Sequence, residues 1–202
     1  MDTETENLKE ISQENPLGHA PIPGLIIKYA IPSIIAMLIS AAYNITDQIF
    51  IGHVVGMLGN AATNVAFPVT TLSSAIALLI GIGTAANFNI IVGAKRLKEA
   101  TQYLGTGIAL LSICGPLLLV LVLRFKTPIL LITGATKSVL PLAQTYLGIT
   151  SFGLPFLLFT MAGSYFIRAD GSPAYAMMAV SLGALINVFL DWLFMIIFEW
   201  GI

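Results

Sequence analysis

Five long apolar stretches, separated by short polar or glycine-rich breaks, organise this chain of 202 residues. They run roughly over 24–51, 61–92, 105–123, 142–167 and 174–200. Crossing a bilayer as a helix takes about 20 mainly apolar residues, and each stretch is long enough. In lipid every backbone N–H and C=O must be bonded within the segment, so each stretch is expected to be a helix. The fold class that follows is all-α: a polytopic membrane helix bundle with five transmembrane helices over 25–202, behind a polar tail over 1–24. The second stretch is long enough to tilt or to run past the membrane. Gly56, Gly59 and Asn60 mark the first break. Pro128, Gly134 and Pro141 mark a longer connection between the third and fourth helices. Asp170-Gly171-Ser172-Pro173 reads as a turn that starts the fifth helix, with Ser172 as N-cap and Pro173 at its first position.

Composition makes lipid the solvent. The chain is 57% apolar and 9% charged, with mean hydropathy +0.91, whereas soluble domains carry about 25% charged residues. The net charge of −1 carries no information, and no basic block points to nucleic acid. Cys114 is the only cysteine, which excludes a disulfide within one chain and leaves it a small packing residue. The tail is acidic and lacks a basic leader and a short apolar core, against the pattern of a cleaved signal peptide.

Lys and Arg suggest the orientation. If the helices alternate, Lys9, Lys28, Lys95, Arg96, Lys98 and Arg168 fall on one side, and Arg124, Lys126 and Lys137 on the other. Cytoplasmic loops carry the excess of Lys and Arg, so the amino terminus is expected in the cytoplasm. That puts two carboxylates, Asp47 and Asp191, in the outer half of the membrane at similar depth. They could share a cavity if the first and fifth helices are neighbours.

These two are the chemistry-bearing positions. Every other Asp or Glu falls in the tail, in a loop or at the last apolar edge. A charge at bilayer depth costs roughly 2.5–3.5 kcal/mol on insertion scales, so its usual jobs are carrying a proton, binding an ion or lining a substrate path. Asn187 lies four residues before Asp191 and so shares its helix face. Ser33, Ser40, Tyr43, Asn44 and Asp47 form a polar stripe at helical spacing in the first segment. Such a stripe lines a water-filled cavity or bonds to neighbouring helices as glue. Two carboxylates with no intramembrane Lys or Arg favour protonation or cation binding. Desolvation penalises the charged form, so a carboxylate alternately wet and dry takes up a proton on one side and releases it on the other.

Other signals are weaker. Pro32, Pro68, Pro116 and Pro155 lie within or near the ends of apolar segments, where they can kink helices. Gly81, Gly83, Ala85 and Ala86 suit close helix packing. Arg168 and Asp170 read as a surface ion pair at the inner turn, and His53 as an interfacial residue. Asn87 and Asn89 are polar but near a helix end. Tyr146 either points into a cavity or anchors at the interface. No phosphate-binding GxxxxGK[ST] loop and no nucleophile–His arrangement occurs. The YD and GxGD patterns of intramembrane aspartyl proteases are absent, since Asp47 follows Thr46 and Asp191 follows Leu190. An enzyme is not expected.

The ordered set of short motifs resembles the multidrug and toxic compound extrusion (MATE) family, in its multidrug export protein branch. Pro32 with Asp47-Gln-Ile-Phe-Ile-Gly52 resembles the family's first helix. Gly59-Asn-Ala-Ala-Thr-Asn-Val-Ala-Phe-Pro68 resembles the start of the second, and Gly93-Ala94 its end. Tyr146 with Gly153 and Pro155 is similar to the fourth, Arg168-Ala-Asp-Gly171 to the following inner turn, and Asn187-Val-Phe-Leu-Asp191 to the fifth. The resemblance implies efflux of bulky, often cationic and amphipathic drugs by antiport against protons or sodium ions across the plasma membrane. It implies no cofactor beyond the coupling H+ or Na+. By the same resemblance Asp47, Asn187 and Asp191 form a polar coupling site; Ser40, Tyr43 and Asn44 of the polar stripe, with Tyr146, are the candidates for lining the cavity. Family members have twelve helices in two six-helix lobes, so five helices are expected to be an incomplete antiporter lobe. The chain is then a fragment of the amino-terminal lobe, or is completed by a partner chain. The alternatives are a flippase for lipid-linked precursors, whose cavities are expected to be basic, and a non-transporting membrane assembly partner.

Overall fold

The structure, a computed structural model, describes residues 21–198. Most of the polar tail and the last residues of the fifth stretch therefore lie outside the described residues. The elements in order are α1 (Ile22–Val54), α2 (Met57–Gly93), α3 (Leu97–Ile132), α4 (Leu140–Thr150), a 3-10 turn (Ser151–Gly153), α5 (Leu154–Ala169), α6 (Pro173–Asp191) and a π-helical turn (Trp192–Ile197). The fourth stretch is thus two helices joined by the 3-10 turn. Five spans are long and apolar enough to cross a membrane, and the fold is an all-α membrane bundle.

Several boundaries differ from those read in the sequence, among them the start of α3, which is Leu97 where residue 105 was expected. Helix α1 begins at Ile22, inside the stretch assigned to the tail, with a proline in its first turn. Helix α2 begins at Met57, so Gly59 and Asn60 are helical and the break is the left-handed Gly56, φ 78°. Helix α3 runs on through Pro128 to Ile132 instead of ending near residue 123. Pro128 lacks an N–H and its ring crowds the carbonyl four residues back, which opens a helix without necessarily ending it. The distortion shows at Phe125, φ −116° and ψ 17°. The connection to α4 comes after Gly134, φ 99°. At the last turn Pro173 starts α6, but the Ser172 side chain makes no capping bond.

The spans pack as two bodies. Helices α2, α3, α4 and α5 form one block, and α1 lies along α6 as a separate pair. The block is held by small residues. A Cβ on Gly81 would sit 2.9 Å from the Ala162 Cα, and one on Gly115 would sit 3.0 Å from the Pro155 Cα. Gly107 is pressed against the Thr84 side chain. Close approach in the second span belongs to Gly81 and not Gly83, which faces open space. Ala77, Leu111, Leu147, Leu158 and Ala162 form the buried core of this block. Pair and block meet only sparsely, where α1 joins α2 and where α5 joins α6. Outward positions such as Leu79, Phe156 and Met178 are exposed, as expected where lipid is the solvent.

Candidate functional site

A cavity of about 1560 Å³ lies between the pair and the block. Helix α1 contributes the polar stripe, with Ser40, Tyr43, Asn44 and Asp47 on the wall and Gln48 beside them. Ser33 is outside it and donates instead to the Tyr29 carbonyl oxygen at 2.8 Å. Helix α6 contributes Asn187, and α4 contributes Tyr146, which settles its side chain on the cavity. The first and fifth spans are neighbours, and this brings the two carboxylates to one region. Asp47 is the only acidic residue on the wall among those described. Asp191 stands a turn beyond Asn187, just behind the lining. Asp47 and Asp191 stand on the two paired helices, and Tyr146 shares the cavity wall with Asp47. Both the Asn187 Oδ1 and the Asp191 Oδ2 are buried without a hydrogen-bond partner among the described residues. Unpaired buried acceptors are costly.

The rest of the wall is made of residues that the sequence did not mark as cavity-lining. Asn60, Thr63, Asn64, Thr70 and Ser74 present a polar face of α2, and Thr160, Ser164, Tyr165 and Arg168 one of α5. Both sets fall at helical spacings of three, four or seven residues, the signal that identified the stripe in α1. Most hydroxyls here donate back into their own helix, as Thr70 does to Phe67 at 2.8 Å and Thr160 to Phe156 at 2.8 Å. Among the described residues, side chains bond across helices at Thr63–Gln48, 3.4 Å, and Gln144–Thr127, 2.7 Å. Arg168 is a correction. It does not pair with Asp170; the ion pair among the described residues is Arg96–Glu99. Arg168 instead faces the cavity, its guanidinium carbon 5.7 Å from the Tyr165 ring centroid. His53 also lines the cavity at the far end.

Residues 32–193 match the model of the MatE family. The chain belongs to this family. Among curated relatives, a FAD transporter of Shewanella oneidensis is 29% identical over 172 residues, covering 85% of this chain and 38% of that protein. The multidrug export protein MepA of Staphylococcus aureus is 25% identical over 177 residues, with the same two coverages of 85% and 38%. The structure superposes on an outward-facing multidrug resistance MATE transporter of the MOP superfamily with TM-score 0.81 and 27% identity, covering 87% of this chain and 39% of the other. The chain thus spans under half the length of these MATE proteins, a share in keeping with one amino-terminal lobe. It is a multi-pass membrane protein of a transporter family, and its relatives' names show that cargo varies within that family.

Proposed function

We propose that this chain supplies the amino-terminal half of a multidrug efflux antiporter. It would lie in the plasma (inner) membrane with its amino terminus in the cytoplasm, as the bias of Lys and Arg suggests. Asp47, Asn187 and Asp191 bind the coupling cation, a proton or sodium ion. Ser40, Tyr43, Asn44 and Tyr146 face the drug, and the cargo is an amphipathic cation held in the cavity. The observation that carries this reading is the convergence of Asp47 and Asn187 on one cavity wall, with Asp191 one turn beyond Asn187 on the helix paired with α1. An acid that must shed a proton or cation before holding a cationic drug couples the two by simple competition. No catalytic step is assigned to any residue, and no cofactor is invoked.

The test uses the full-length transporter in proteoliposomes, with ethidium as cargo and an imposed proton or sodium gradient. Asp47→Asn and Asp191→Asn should each cut gradient-driven transport at least about tenfold, the loss expected when a buried charge interaction is removed. The gradient that drives the wild type identifies the coupling ion. Full coupled transport by both variants would sink the proposal. A wild type that moves no dye under either gradient would turn attention to the flippase or assembly-partner readings. The specific observation favouring a different cargo is Arg168, a fixed cation on the wall, which would suit an anionic cargo of the kind named for the Shewanella relative.

A further inference from the structure

We propose that the inner end of the cavity is a seat for an anionic oxygen group, a carboxylate or phosphate, carried on an amphipathic cargo and held by Arg168. The inference rests on the cavity being a cargo site. Arg168 is in the last turn of α5 and is the only Lys or Arg among the described lining residues. By chain direction it lies at the opposite end of the cavity from Asp47. Its Nε is buried and has no hydrogen-bond partner among the described residues. A guanidinium cannot neutralise itself by losing its proton, and its planar fork matches an oxyanion with two parallel bonds. The usual solution, a neighbouring carboxylate, is not taken, since Asp170 is exposed and unbonded to it.

A second donor at the same turn points the same way. The Tyr29 hydroxyl is also buried without a partner. It lies against Gly171, 3.6 Å from where a Cβ on that residue would stand, three residues on from Arg168. Serine and threonine hydroxyls in these spans satisfy themselves on their own helix; a tyrosine ring holds its hydroxyl too far out to do so. Two buried donors without a partner among the described residues thus belong to one turn, Arg168 on the cavity wall and Tyr29 outside the lining, while an acid sits at the other end of the cavity. A ligand that satisfies both ends is zwitterionic: a cationic part toward Asp47, an apolar body, and an anionic group at Arg168.

The test is a pair of xanthene dyes, identical except that one carries a free carboxylate and the other its ethyl ester. Binding to the full-length protein in neutral-lipid nanodiscs is read by fluorescence anisotropy. The wild type should prefer the acid about tenfold, the scale of a charge-assisted hydrogen bond. Arg168→Gln should erase that preference and leave the ester's affinity unchanged, and Arg168→Lys should keep part of it. Equal wild-type affinity for the two dyes overturns the seat alone, leaving the cavity as a cargo site. So does an Arg168→Gln variant that weakens both dyes equally, which would mark a structural role. If neither dye binds, the seat and the cargo cavity fall together. Replacing part of the lipid with phosphatidylglycerol locates the source of the anion. Weaker acid binding in the wild type but not in Arg168→Gln means lipid headgroups share the seat, and no change means cargo alone fills it.

Discussion

At the scale of single residues, the site is defined by who has a partner. Hydroxyls close on their own backbone, whereas Asn187, Asp191, Arg168 and Tyr29 each keep a buried polar atom unbonded. Asp47 and Asp191 stand on paired helices, α1 and α6, and two carboxylates so placed repel when both are charged. Replacing either by Asn removes the same repulsion, so the two changes should not add. At alkaline pH, where carboxylates are charged, the double variant's change in thermal stability should differ from the sum of the singles by about 0.5–3 kcal/mol. Additivity would show that the two acids do not interact. The acids were legible in the sequence because a charge in an apolar run is conspicuous. Arg168 was not, because an acid two positions away invites a pairing. Residues at i and i+2 of a helix do not face each other, and the end of α5 sends Arg168 inward while Asp170 stays outside.

At the scale of the element, apolar length and turn residues located all five spans, and the misses follow from proline and glycine. Pro128 resembled a loop residue but opens a helix that continues on both sides. Pro128→Ala should straighten α3 at Phe125. Spin labels at the exposed Ile113 and Ile132 would then move apart in pulsed-resonance distances; an unchanged distance would mean the bend has another cause. Gly81 and Gly83 looked alike in sequence, since a pattern cannot say which of two neighbours meets another helix. Their contacts separate them. Gly81→Val should lower thermal stability in detergent by about 1–3 kcal/mol through overpacking against Ala162, while Gly83→Val should change it little. The polar faces of α2 and α5 were readable in principle by the spacing that revealed α1. They contain no charge until Arg168, so nothing drew attention to them.

At the scale of the whole molecule, the division into a pair and a block was not legible, because it depends on which helices touch. Helix α1 buries only Ala36 and Ile51 among its described residues, whereas α2 buries ten, including Ala62, Ala66, Val69 and Ala77. Local opening is easiest where few buried contacts must break. Hydrogen exchange in nanodiscs should therefore be slower in the central turns of α2 and α5 than in α1 around Ser40–Asp47. Equal protection would mean that the pair is as firmly held as the block.

The thin seam between those two bodies also bears on how the cavity changes its size. A pocket cut into one solid core changes its clientele only by rebuilding its walls, one side chain at a time. Here the aperture is the angle between two prefabricated parts. A small tilt of α1 and α6 resizes the whole chamber while each part keeps its own packing. Under the efflux function proposed above, mutations that broaden the range of compounds should turn up along the seam, at positions no compound ever touches, as often as on the walls themselves.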